Sequence, residues 1–191
     1  MDVFGHVGLS LAVAYPVERI RGRYAQSGDD AGLGPPLAHR LDFRLIVVGS
    51  LVPDMIDKPL GFLLAPDLVN NGTRSVAHGV VFALLFIAAS AVWFWHTRRL
   101  GLLGLSGAAA GHMVLDRMWG QPEIALWPFL GWSFPAGTVD LAERSSVYLR
   151  DLLTFYTDAP ELVGAVVIVL FATRLWRTKA VLPFLREGRV P

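Results

Sequence analysis

Residues 76–95 read VAHGVVFALLFIAASAVWFW, and this stretch decides the fold class. Its only ionisable side chain is His78, and the next is His96. Twenty helical residues rise about 30 Å, the thickness of a bilayer's hydrocarbon core. The segment is therefore expected to span a membrane as a helix. Working outward, Leu100 to Leu115 is apolar and rich in small residues. Within it, Gly107-Ala-Ala-Ala-Gly111 has the small-xxx-small spacing that lets another helix approach closely. Leu162 to Trp176 is apolar until Arg174. Val3 to Ile20 and Leu45 to Ile56 are shorter or interrupted, and the latter suits a short tilted span or a packed helix. The expected architecture is all-α: an integral membrane bundle of about five apolar helices in a single domain, residues 1–191.

Composition agrees. Of the 191 residues, 53% are apolar and only 17% charged, against about 25% charged in ordinary soluble domains. Mean hydropathy is +0.48. A net charge of +1 gives no basic surface for nucleic acid. The chain has no cysteine, which excludes disulfides, thiolate nucleophiles and cysteine-ligated metal. Asp2 and the lack of an N-terminal basic region argue against a signal peptide, so the first apolar stretch is expected to be retained. No internal repeat is evident. Residues 19–44 are expected as a polar loop, 117–159 as a second loop, and 177–191 as a basic tail. Within the second loop, Asp140 to Asp158 is partly amphipathic and suits an interfacial helix or a lid. Trp119, Trp127 and Trp132 suit an interfacial belt.

Lysines and arginines give the orientation. With five crossings, Arg19, Arg21, Arg23, Arg40, Arg44, Arg98, Arg99, Arg174, Arg177, Lys179, Arg186 and Arg189 share one side. Lys58, Arg74, Arg117, Arg144 and Arg150 share the other. The richer side belongs in the cytoplasm, which puts the C-terminus inside and the N-terminus outside. The same topology brings His6, Asp54, Asp57, His78, His112 and Asp116 to one outer boundary, and leaves His39 and His96 opposite.

Intramembrane ionisable residues are functional by default. Imidazole and carboxylate are the ligands of zinc, manganese and iron. Residues three or four apart share a helix face, so His112 with Asp116, and Asp54 with Asp57, can address one divalent ion. His6, Asp54, His78, His112 and Asp116 are the expected ligands. Asp57 is expected as a catalytic carboxylate or, like His6, as a ligand or a partner behind the ligands, and Arg74 is available to an anionic oxygen; a carboxylate left off the metal would serve as base. Glu123, Asp140 and Glu143 are reserve acid–base candidates. The expected chemistry is hydrolysis of an ester or phosphoester, with a lipid-like or phosphorylated substrate at the membrane boundary. Two alternatives compete: a non-catalytic scaffold or regulator with a protein partner, and a transporter that uses the same residues as an ion path. Ligands at one boundary rather than the midplane argue against transport.

The ordered elements resemble a known family. His6 lies in a small apolar helix, followed by Leu51-Val-Pro-Asp54-Met-Ile-Asp57 and Arg74-Ser-Val-Ala-His78. Ala110-Gly-His112-Met-Val-Leu-Asp116 and Leu126-Trp-Pro-Phe129 complete the series. This order resembles the YdjM-like inner-membrane-associated proteins, some described as LexA-binding. The resemblance implies an inner-membrane location and metal-dependent hydrolysis. Two positions depart from the family pattern: Thr73 stands where a histidine is expected, and Gly79 where a serine is expected.

Overall fold

A computed structural model describes residues 3–26, 40–137, 150 and 158–191, and the described residues contain helices and no strand. Helix α1 spans Val3–Gln26 with Pro16 inside it. It continues beyond Ile20 because Glu18 to Gln26 is composed largely of residues that tolerate helix well. Helix α2, Phe43–Gly49, is capped by Asp42, whose side chain accepts from the Arg44 amide.

The segment Leu45 to Ile56 does not run as one helix. Proline lacks an amide hydrogen and crowds the preceding turn, so Pro53 is tolerated only in the first turn of a new helix. The chain accordingly breaks at Ser50 and Leu51, and α3 begins again at Val52–Pro59. The Ser50 hydroxyl donates to the Val47 carbonyl at 2.8 Å, satisfying a carbonyl at the break. A π turn at Leu60–Leu64 and a 3₁₀ turn at Val76–His78 then lead into α4, Val80–Thr97. Helix α5 is Gly101–Leu115, α6 is Pro122–Ala125, α7 is Ala159–Arg177 and α8 is Val181–Glu187. The expected basic tail thus carries a short helix. The stretch Asp140 to Asp158 lies almost wholly outside the described residues.

The expectation of about five spanning helices is corrected. Among the described residues, only α4 and α7 are long and apolar enough to cross a membrane, and α5 is apolar but shorter. Helix α1 carries Glu18, Arg19 and Arg21, and α2 and α3 are each too short. Only 6% of the α4 window is buried within the protein, with Leu84, Leu85 and Trp95 all exposed. A core helix of a water-soluble domain would bury that surface.

Helices α1 and α7 are parallel: Phe4 and Gly5 meet Glu161 at one end, and Tyr15 lies under Arg174 towards the other. Their axes approach closely at Gly8 and Gly164, where an added Cβ on either glycine would enter the other helix's backbone. At the far end, Phe43 N donates to Gly188 O at 3.0 Å. Gly188 has φ +68° and its Cβ position is filled by Asp42, so both conformation and space require glycine there. Val7, Leu11, Ala14, Phe43 and Ile46 form one apolar core. Val69, Met113, Met118, Ile124, Ala125 and Phe134 form another. His6 directly precedes a member of the first and His112 directly precedes a member of the second.

Candidate metal centre

His78 is the best-held side chain of the site. The break before α4 exposes the amides of Ser75, Ala77 and His78, and the Asp57 carboxylate accepts from all three at 2.7–3.2 Å. Asp57 also accepts from the Ser75 hydroxyl at 2.8 Å and from His78 Nδ1 at 2.7 Å. Burial raises the Asp57 pKa, but the His78 hydrogen bond and the backbone amides outweigh it and hold the carboxyl below its usual range. Asp57 is therefore ionised at neutral pH and lies fully buried behind His78.

His112 is oriented in a different way. Its Nδ1 donates to the Ser50 carbonyl at 2.7 Å, an acceptor made available by the α2–α3 break. With each Nδ1 engaged by an oxygen acceptor, it is Nε2 of each ring that is turned towards the shared space. These two Nε2 atoms face each other at 3.3 Å.

Two carboxylates complete the set. Asp54 Oδ1 lies 3.6 Å from His78 Nε2 and 3.8 Å from His112 Nε2. Asp116 Oδ2 lies 3.8 and 3.9 Å from the same two atoms. A regular tetrahedron with zinc-like bonds of about 2.0–2.2 Å has edges of about 3.3–3.6 Å, close to these separations. Two imidazole nitrogens and two carboxylate oxygens brought this close are the donor types of a divalent-metal site. The residues present therefore fit a divalent metal, with His78, His112 and Asp116 as one possible ligand group, and position 73 is not among them.

The surrounding residues hold this set in place. Lys58 Nζ meets Asp54 Oδ2 at 2.6 Å, four residues along α3. Arg74 donates to Asp116 Oδ2 through Nε at 2.8 Å, with a second nitrogen at 2.7 Å. Burial raises the Asp116 pKa, but the His6 hydrogen bond and the Arg74 charge reverse this and hold it far below the ordinary carboxylate value. His6 Nε2 lies 3.1 Å from Asp116 Oδ1, and its ring stacks on His112 with centroids 3.7 Å apart. His6 also groups with Asp54 and His112 as a second possible ligand set.

All six residues expected at one boundary are thus brought together, along with Arg74. His96 ends α4 at the opposite end, and His39 lies outside the described residues, as do Asp140 and Glu143. Glu123 is exposed on α6 and belongs to neither ligand group. Sequence reasoning missed Ser50, whose contribution is a backbone carbonyl without a residue signature. It also missed Ser75 and the pairing of Lys58 with Asp54, although the i,i+4 spacing was available. Glu161 was missed as well. Fully buried, it accepts from the Phe4 and Gly5 amides at 3.1 Å, fixing the start of α1 and so His6. An acid one residue before an apolar run was its only sign.

A helical chain with two membrane-length apolar helices and a buried histidine–carboxylate cluster defines a class of small membrane proteins with one polar site. The chain belongs to the YdjM inner membrane protein family, whose family model matches residues 1–182. No curated protein and no solved structure matches it.

Proposed function

We propose that this protein is a membrane-embedded, metal-dependent hydrolase acting on an ester or phosphoester. The observation that carries the proposal is the pair of imidazole Nε2 atoms, 3.3 Å apart, facing Asp54 and Asp116. Two imidazoles and two carboxylates suit zinc, manganese or iron better than calcium, which prefers oxygen alone. A divalent ion in such a site supplies Lewis acidity, lowering the pKa of water towards ~7 and polarising an ester or phosphoryl oxygen.

The chain's own residues divide the remaining work. His78, His112, Asp54 and Asp116 are the ligands, and His6 is either a further ligand or the orienting partner of Asp116. Asp57, first expected as a catalytic carboxylate, a ligand or a partner behind the ligands, has its oxygens committed to five hydrogen bonds and acts as a positioning residue for His78. Asp54 is the more accessible of the two ligand carboxylates, with a side chain 12% exposed against 1% for Asp116. It is the better placed to receive a proton at Oδ2, from which Lys58 can turn away. Arg74, one-third exposed, binds an anionic oxygen of the substrate while holding Asp116.

The site faces the outer side of the inner membrane and the C-terminus faces the cytoplasm, because the basic residues gather at the opposite end of the bundle. Metal analysis of the purified protein tests the proposal together with turnover of a panel of p-nitrophenyl esters and phosphodiesters. About one ion per chain is expected, with both metal and turnover lost in His112→Ala and Asp54→Ala. A metal-free wild-type protein, or turnover unaffected by either substitution, would sink it.

A further inference from the structure

The two membrane-length helices end alike, away from the candidate metal centre. Helix α4 leaves the centre at Val80 and ends at Thr97, with Trp95 exposed in its last turn and Arg98 and Arg99 directly after it. Helix α7 meets the start of α1 through Glu161 and ends at Arg177, with Trp176 exposed beside that arginine and Lys179 just beyond. Indole rings favour the boundary between hydrocarbon and headgroups, because the ring is apolar and its N–H is not. Arg98 lies over the Trp95 ring, 5.6 Å from its centroid, so cation and indole share that boundary. The two ends are joined through Asp42, which lies against Gly101 at the start of α5 and against Gly188 at the end of α8.

Helix α8 starts from this boundary. Only Thr178, Lys179 and Ala180 separate it from α7. Phe184 turns inward and meets Phe171 of α7, ring centroids 5.7 Å apart. Arg44 Nη1 donates to the Leu185 and Arg186 carbonyls and the Phe43 amide donates to Gly188 O, so α8 is held against α2. Successive helical residues turn about 100°, which puts Val181, Leu182 and Leu185 in one stripe beside Phe184. All three are exposed. Arg98, Arg99, Arg177, Lys179 and Arg186 are exposed too, and none of them forms an ion pair among the described residues. The nearby carboxylates are taken by other cations: Glu18 by Arg21, Asp42 by Arg44 and Glu187 by Arg189.

We infer that this end of the protein is a binding surface for anionic phospholipid, with α8 lying in the headgroup plane. Leu182 and Leu185 enter the acyl boundary, as the apolar face of an interfacial helix does, and the five exposed cations receive the phosphates. The apolar stripe alone would fit a partner helix, and the cations alone any polyanion. Their combination identifies the occupant. The cations stand at the ends of the two helices whose apolar faces meet hydrocarbon, and α8 presents its leucines at the same level. Clusters of about four to eight Lys and Arg directly after a span or on an amphipathic helix recognise anionic lipid. The contact is independent of the hydrolase proposal, since the metal centre lies at the other end of α4.

The test titrates the full chain, purified in detergent, with phosphatidylglycerol or with phosphatidylcholine of the same acyl chains, and native mass spectrometry counts and ranks the bound lipid. Phosphatidylglycerol should bind about tenfold more tightly or better. The combined variant Arg177→Gln, Lys179→Gln, Arg186→Gln should bring the two lipids within about twofold of each other, since the charges are gone. Its melting temperature in detergent and its metal content should match wild type, because these side chains are exposed and hold no partner. In vesicles, phosphatidylglycerol with a diazirine beside the glycerol end of one chain should label Leu182 and Leu185 of the wild type, which keeps the test decisive should the glutamine form not fold. Equal affinity for the two lipids, a preference that survives in a folded glutamine form, or adducts that avoid α8 would overturn the inference. So would capture of a poly-glutamate peptide by a chain with no preference for phosphatidylglycerol, which would assign the surface to an acidic protein segment.

Discussion

At the residue scale, the site depends on what stands behind each histidine. Asp57 and the Ser50 carbonyl each engage an Nδ1 and so turn both Nε2 atoms towards the same space. This separates two aspartates that are three residues apart on one short helix. Asp57→Asn keeps the shape but loses the charge that three amides and His78 share. Metal affinity is expected to fall about 10–100-fold, the usual effect of removing such a partner. The protein should also lose about 1–3 kcal/mol of stability from imperfectly satisfied buried donors. Asp54→Asn should abolish metal binding yet melt close to metal-free wild type, because its carboxylate faces the cation space and Lys58 rather than the backbone. Chelator competition and thermal melts in detergent measure both effects.

Elements set the positions of these residues, and breaks matter as much as helices. Pro53 interrupts the second apolar segment, and the interruption frees the carbonyl that orients His112. Glycines divide into two kinds with opposite expected outcomes. Gly8 lies against the Gly164 backbone, so Gly8→Val must push α1 from α7 and should destabilise by about 1–3 kcal/mol or more. It should also loosen His6, two residues away. Gly107 faces open space inside a helix, so Gly107→Ala should stabilise by about 0.5–1 kcal/mol. Denaturation of the two variants beside wild type, followed by circular dichroism, decides whether the signs differ.

For the whole molecule, only two helices among the described residues have membrane length, and the site is assembled from residues outside both. Occupancy of the site should tie segments together from α1, α3, α5 and the turn before α4. Chelation is therefore expected to lower the melting temperature, and excess zinc to restore it; a ligand at 100 times its Kd contributes about 2.7 kcal/mol. The absence of cysteine makes sidedness simple to measure. In intact spheroplasts a membrane-impermeant maleimide should label Asp67→Cys, at the site end, and spare Arg99→Cys until the membrane is opened. The reverse pattern would invert the orientation and leave the site intact.

The helical class, the polar positions and their common end were legible in the sequence, because hydropathy and charge are local properties that a bilayer sorts directly. The family order was legible too, since spacing along the chain records which residues recur together. The number of long spans was not: a pattern of apolar residues does not show that Pro53 stops one helix or that α1 carries charge through its second half. Ser50 and Glu161 escaped notice for a related reason. One acts through a backbone carbonyl, and the other through two amides more than 150 residues away. Such partners exist only once helices have packed. The sequence thus determined which side chains are too polar for their surroundings. Only the tertiary structure decided which face the cation space and which stand behind them, because those are properties of distance between elements.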